Sequence, residues 1–122
     1  MGPGNRPLDL DWLEDFLALA ETGNFSRAAQ ARNIAQPAFS RHIKSLEEWV
    51  GVALFDRATH PVSLTAAGVR IRPEIAETLQ RLESARHAAR AAHEQAAVSL
   101  LFAATHALSL TFFPAWLSGL EG

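Results

Sequence analysis

From Thr65 the chain reads "TAAGVRIRPEIAETLQRLESARHAARAAHEQAA", and this run constrains the fold more than any other. A heptad frame places Gly68, Ile71, Ile75, Thr78, Leu82, Ala85, Ala89, Ala92 and Ala96 at its a and d positions. Most are apolar and many are small, while charged residues fill much of the remainder. Thr65 is a suitable N-cap. The spacing predicts one helix of ~30 residues, ~45 Å long. A chain of 122 residues has too little else to cover such a stripe. The same helix of a second chain covers it most simply, through Ile75, Leu79, Leu82, Ala85 and Ala89. Pro73, two turns in, is expected to kink the helix or to set its first turns apart.

Three shorter helices are predicted upstream. In "LDLDWLEDFLALAETG" Asp9 or Asp11 can cap, Leu13, Phe16, Leu17 and Ala20 share a face, and Gly23 ends the run. "FSRAAQARN" is a short second helix with Ser26 as its expected N-cap and Phe25 before it as a staple residue. Asn33 tolerates the left-handed geometry of a tight turn. "AQPAFSRHIKSLEEWVG" is the third helix, with Pro37 in its first turn and Gly51 at its end. Phe39, Ile43, Leu46 and Val50 make its apolar stripe. After it, Leu54 and Phe55, the loop "RATHP", and the alternation of Val62 and Leu64 with Ser63 and Thr65 predict a small β-hairpin.

Charge is unevenly placed on this chain of formal net charge −2. Asp9, Asp11, Glu14, Asp15 and Glu21 crowd the first helix. From Asn24 to Leu46 there is no Asp or Glu, but there are Arg27, Arg32, Arg41, Lys44 and His42. Two short helices joined by a tight turn, the second with a polar and basic outer face, form a helix-turn-helix. Double-stranded DNA is the partner such a face fits, because acids there would repel phosphates. Gln36 can present its amide to adenine and Arg41 can donate twice to guanine. Pro37, Ala38 and Ser40 are small enough to approach bases. Ser26, Arg27, Arg32 and Lys44 suit phosphates, as does Thr65 at the foot of the long helix. Arg57, His60 and Pro61 would form a wing reaching a phosphate or the minor groove.

Residues 9 to about 95 resemble the N-terminal half of a LysR-type transcriptional regulator. "FLALAETGNFSRAAQ", "QPAFSRHIKSLE", "LFDR" and "LTAAG" stand in the family's order and spacing. The resemblance implies a mainly α fold: a winged helix-turn-helix over 9–65, a dimerising linker helix over 66–96, and the start of an α/β effector domain over 97–122. It implies a homodimer, a tetramer when the protein is intact, on a near-palindromic operator in the cytoplasm. "FAATHALSLTFFP" matches the opening strand and helix of the effector domain, which the chain would contain only in part. "RNIAQPAFSR" and "AATHALSL" are similar to the hypochlorite-responsive regulators, which implies a small-molecule or oxidant effector acting through that domain. Two positions depart from the family: Ala35 stands where Ser usually caps the recognition helix, and His60 where the wing is often basic.

The C-terminal stretch is accordingly expected to form a strand from Val98 to Ala103, a loop at Ala104–His106 and a helix start. Thr105 and His106 would lie at the strand-to-helix turn, where the intact fold holds effectors. Leu100, Leu101, Phe102, Phe112, Phe113, Trp116 and Leu117 form a dense apolar set. Residues 98–120 are therefore expected to be poorly ordered or packed against another molecule. Residues 1–8 are expected to be a flexible leader. No cysteine is present, which excludes disulfides, zinc–thiolate sites and a cysteine nucleophile. No nucleophile–base pair, paired carboxylates or phosphate-binding glycine loop supports an enzyme, and no cofactor, metal or membrane is implied. The rival reading is a coiled-coil module whose winged domain contacts a protein.

Overall fold

A computed structural model describes residues 7–112, with side chains described to residue 107. The expected leader lies almost wholly outside the described residues, as do Phe113, Trp116 and Leu117. Elements follow in the order α1 (Leu10–Thr22), α2 (Phe25–Arg32), α3 (Gln36–Val50), β1 (Phe55–Asp56), β2 (Ser63–Leu64) and α4 (Ala66–Phe112). The chain divides into two units, residues 1–80 and 81–122.

In the first unit α1, α2 and α3 pack around Phe16, Leu19, Phe39, Ile43, Leu46 and Leu54, all essentially buried. On α1 the buried face is Leu13, Asp15, Phe16 and Leu19, while Leu17 and Ala20 are half-buried. Asp9 caps α1 by accepting from the Asp11 N–H at 2.9 Å. The expected Ser26 cap on α2 is not formed. Asn24 holds that place, in extended backbone, and its Oδ1 accepts from the Arg27 N–H at 2.9 Å. Phe25 is thereby drawn into the first turn, where its ring meets Phe39 edge-on at 6.0 Å. Ala35 gives α3 no side-chain cap. That omission costs about 1 kcal/mol, less than the ~1.5–3 kcal/mol that burying Phe39 alone contributes, so α3 forms regardless.

A polar tie joins the three helices. Asp15 is 1% exposed, and its Oδ1 accepts from Arg32 Nε on α2 at 2.7 Å. Its Oδ2 lies 2.6 Å from His42 Nδ1 on α3. Arg32 also reaches Glu14 at 3.1 Å and Asp11 at 3.6 Å. The hydrogen bond that Arg32 donates to Asp15, and then the charges of all three acids, raise the Arg32 pKa despite the opposing effect of burial. A raised cation stabilises the fold at every pH below its unfolded value, so this contribution is lost only in strong alkali.

The hairpin pairs Phe55 with Leu64 and Asp56 with Ser63. It is fastened to the end of α1, where the Val62 N–H donates to the Gly23 carbonyl at 2.9 Å, and its open end is closed by the Thr65 N–H donating to the Leu54 carbonyl at 2.9 Å. Gly23 is left-handed at φ +65, and an added Cβ would sit 2.8 Å from the Pro61 side chain. Gly68 is closer still to its neighbours. A Cβ there would strike the Leu54 carbonyl oxygen and come within 2.8 Å of Leu64.

Two expectations for α4 are corrected, those for Ile75 and for Val98–Ala103. Ile75 is 5% exposed and belongs to the core of its own chain, so it is not free to face a second copy. Pro73 lies inside the helix and does not end it; Pro73 and Val69, whose carbonyl loses its donor, are both exposed, so water can take that place. Val98–Ala103 is helical rather than a strand, and no loop separates it from Thr105 and His106. A strand needs a partner for its backbone groups, whereas a helix satisfies them within itself, and Leu and Ala favour it. Val98, Leu100, Leu101 and Phe102 on this segment are 66–74% exposed. No helix among the described residues is long and apolar enough to cross a membrane.

Two substitutions test this packing by urea denaturation. Gly68→Ala should lose about 1–3 kcal/mol through the forced displacement of Leu54 and Leu64. Arg32→Ala should lose roughly 3 kcal/mol, because it strips a buried carboxylate of its charged partner. An unchanged midpoint in either case contradicts the packing described.

Candidate nucleic-acid interface

The turn between α2 and α3 is built by Asn33 at φ 61, whose N–H donates to the Gln30 carbonyl at 3.0 Å. The next N–H, of Ile34, reaches back to the Ala29 carbonyl at 3.1 Å. Ile34 then packs against the core and fixes where α3 starts. With Phe39, Ile43 and Leu46 buried, the opposite side of α3 is turned outward. Gln36, Pro37, Arg41 and Lys44 are exposed there, and Ala38 and Ser40 are half-buried. Gln36, Pro37, Ser40, Arg41 and Lys44 share this outward side of the helix. Ser26 and Arg27 are exposed in the first turn of α2.

The cations divide into two groups. Arg27, Arg41 and Lys44 make no ion pair with another described residue. Arg32 and Arg57 are held within the protein. Arg32, expected to meet phosphate, is instead committed to Asp15, Glu14 and Asp11. Arg57 donates through Nη2 to Glu47 Oε1 at 2.9 Å and lies over the Phe25 ring at 5.5 Å. Glu47 also accepts from the backbone N–H of Leu54 at 2.7 Å and of Phe55 at 3.2 Å. One carboxylate on α3 thus pins the start of the hairpin. Between them a recess opens, lined by Phe25, Gln36, Ser40, Lys44, Glu47 and Arg57.

The hairpin loop carries His60 and Pro61 exposed at its tip, and its turn is braced by Thr59 and Ser63 hydroxyls 2.9 Å apart. Thr65, expected at phosphate, spends its hydroxyl on the Ala53 carbonyl at 2.7 Å and on capping Gly68 N–H at 3.1 Å. On α4, Leu79 packs against the core of the first unit, whereas Leu82, Ala85 and Ala89 are exposed. Thr105 donates to the Leu101 carbonyl at 3.0 Å inside the helix, so the turn on which its expected role depended is not formed.

Two residues of structural weight escaped the sequence reading. Asp15 lies three residues after Trp12 and four before Leu19, inside the apolar face of α1. A carboxylate in that position needs a buried partner, which was a usable signal, although nothing local named Arg32 and His42. Glu47 follows Leu46 on α3, and its backbone partners belong to an element too distant in sequence to infer.

Residues 10–69 match the family described as bacterial regulatory helix-turn-helix proteins, lysR family. The HTH-type transcriptional regulator YjiE of Escherichia coli K12 is 41% identical over 111 residues, 91% of this chain and 37% of that protein. The chain therefore spans little more than a third of that relative. The crystal structure of DarR from Vibrio fischeri in complex with DNA has 44% identity and a TM-score of 0.64, over 66% of this chain and 27% of that one. The complex of the CbnR DNA-binding domain with DNA has 32% identity and a TM-score of 0.66, over 69% of this chain and 97% of that one. Mainly helical, winged by its hairpin and continued by a long helix, the chain belongs to the LysR family of helix-turn-helix regulators.

Proposed function

We propose that this chain is the DNA-binding part of a LysR-type transcriptional regulator and that α3 reads the major groove. The observation that carries the reading is the outward patch of Gln36, Pro37, Ala38, Ser40 and Arg41 beside Lys44, on a helix whose opposite stripe is buried. The relatives of similar fold that bind DNA support it. Gln36 and Arg41 contact base edges; Pro37, Ala38 and Ser40 let the helix approach. Ser26, Arg27 and Lys44 meet phosphates, and Arg57, His60 and Pro61 form the wing. Arg32 and Thr65 act from within, holding the helices and the hairpin.

The protein binds as a dimer through Leu82, Ala85 and Ala89 of α4, with Leu79 at the edge of that surface. Residues 9–65 serve as the DNA-binding domain, 66–96 as the linker, and 97–122 lead into effector sensing. The similarity of "RNIAQPAFSR" and "AATHALSL" to hypochlorite-responsive regulators favours an oxidant effector, sensed outside the residues described.

Selection of bound sequences from a random duplex library tests the DNA reading and returns the half-site. No enrichment, with no duplex binding at low salt, would leave the protein-contact module as the better account. Against the selected site, Arg41→Ala should cost ~1–3 kcal/mol and relax preference at one base pair. Lys44→Ala should weaken all duplexes alike and reduce the salt slope by about one. Equal loss on every duplex for Arg41→Ala removes it as a reader. Leu82→Glu should give monomers in sedimentation, since two facing carboxylates would be buried without partners. An unchanged dimer removes this face as the interface.

A further inference from the structure

The polar tie of α1, α2 and α3 ends on the helix that carries the exposed Gln36, Arg41 and Lys44. The remaining contacts of α3 with α1 run through Phe16, Leu19, Phe39, Ile43 and Leu46. Apolar packing of that kind turns the stripe of α3 inward, but it is non-directional and sets the finer rotation of the helix less sharply than a hydrogen bond does. A 2.6 Å bond between Asp15 Oδ2 and His42 Nδ1 is directional. Asp15 cannot follow a rotation of α3, because it is fully buried and its other oxygen is held by Arg32 at 2.7 Å. His42 directly follows Arg41 in the chain. Base-edge contacts need their donors within about 0.5 Å and 10–20° of the productive geometry, whereas phosphate contacts carry no sequence information.

We propose that Asp15 is a positioning residue for the DNA-reading helix and acts through His42. The proposal rests on the DNA-binding reading above. The His42 Nδ1–H donates to Asp15 and fixes the rotation of α3 about its axis, so that Gln36 and Arg41 arrive together at base edges. Loss of that donor degrades discrimination between sites more than it degrades general affinity for duplex.

The test compares two substitutions by fluorescence anisotropy at fixed salt, on the selected duplex and on a shuffled one. His42→Leu removes the donor. His42→Asn restores an N–H at the place of Nδ1. The readout is the ratio of the two affinities, which partial unfolding leaves unchanged because it scales both alike. His42→Leu should lower the ratio about tenfold while leaving shuffled-duplex affinity nearly constant. His42→Asn should recover most of the loss. His42→Ala takes the place of the leucine variant if that one does not fold. A wild-type ratio in the variant lacking the donor overturns the proposal. So does an equal loss in His42→Asn, which would assign the effect to the imidazole and not to its bond with Asp15. A wild-type protein that binds neither duplex fails the DNA-binding reading itself.

Discussion

The carboxylate of Asp15 is the constraint on which the arrangement of the first unit depends. It is buried among apolar side chains, where an unpaired charge would be very costly. It is held there by Arg32 from α2 and His42 from α3, one at each of its two oxygens. The three helices therefore have little freedom to slide or roll. The apolar core supplies most of the stabilisation and turns the stripe of α3 inward, but non-directional packing leaves the finer rotation of that helix less sharply set. The polar tie selects one.

A second carboxylate does the corresponding task for the wing. Glu47 gathers two backbone N–H groups and Arg57, so the hairpin is set against α3 and does not hang from it. Across the helix-turn-helix and the hairpin, Arg32 and Arg57 are thus spent on acids, which leaves Arg27, Arg41 and Lys44 for an external anion. This division explains how a protein of net charge −2 can present a cationic face. The acids are numerous, but Asp11, Glu14 and Asp15 of α1 gather around Arg32 and make no ion pair with Arg27, Arg41 or Lys44.

Much of this was legible in the sequence, for local reasons. Helical spacing gave α1, α3 and the start of α4; Gly23, Asn33 and Gly51 marked the turns by their tolerance of positive φ. The outward patch on α3 followed from the buried stripe alone. What escaped was non-local. Ser26 and Asn24 are both competent caps, and only the path of the chain out of Gly23 chooses between them. Arg32 looked like a phosphate contact because its partners lie on another helix. Ile75 fitted a heptad seam equally well as a core position, and the fold of its own chain claimed it. The Val98–Ala103 run fits a strand only where a sheet is supplied, and here its backbone closes on itself as a helix.

The central claim is that α3 and the hairpin loop together form the surface that meets duplex DNA. Amide chemical-shift mapping on titration with the selected half-site tests it most directly. The account predicts the largest shifts at residues 36–44, with a second cluster at 57–61 and a third at 26–27. Largest shifts on the exposed face at 82–102, with residues 36–44 unmoved, would contradict it.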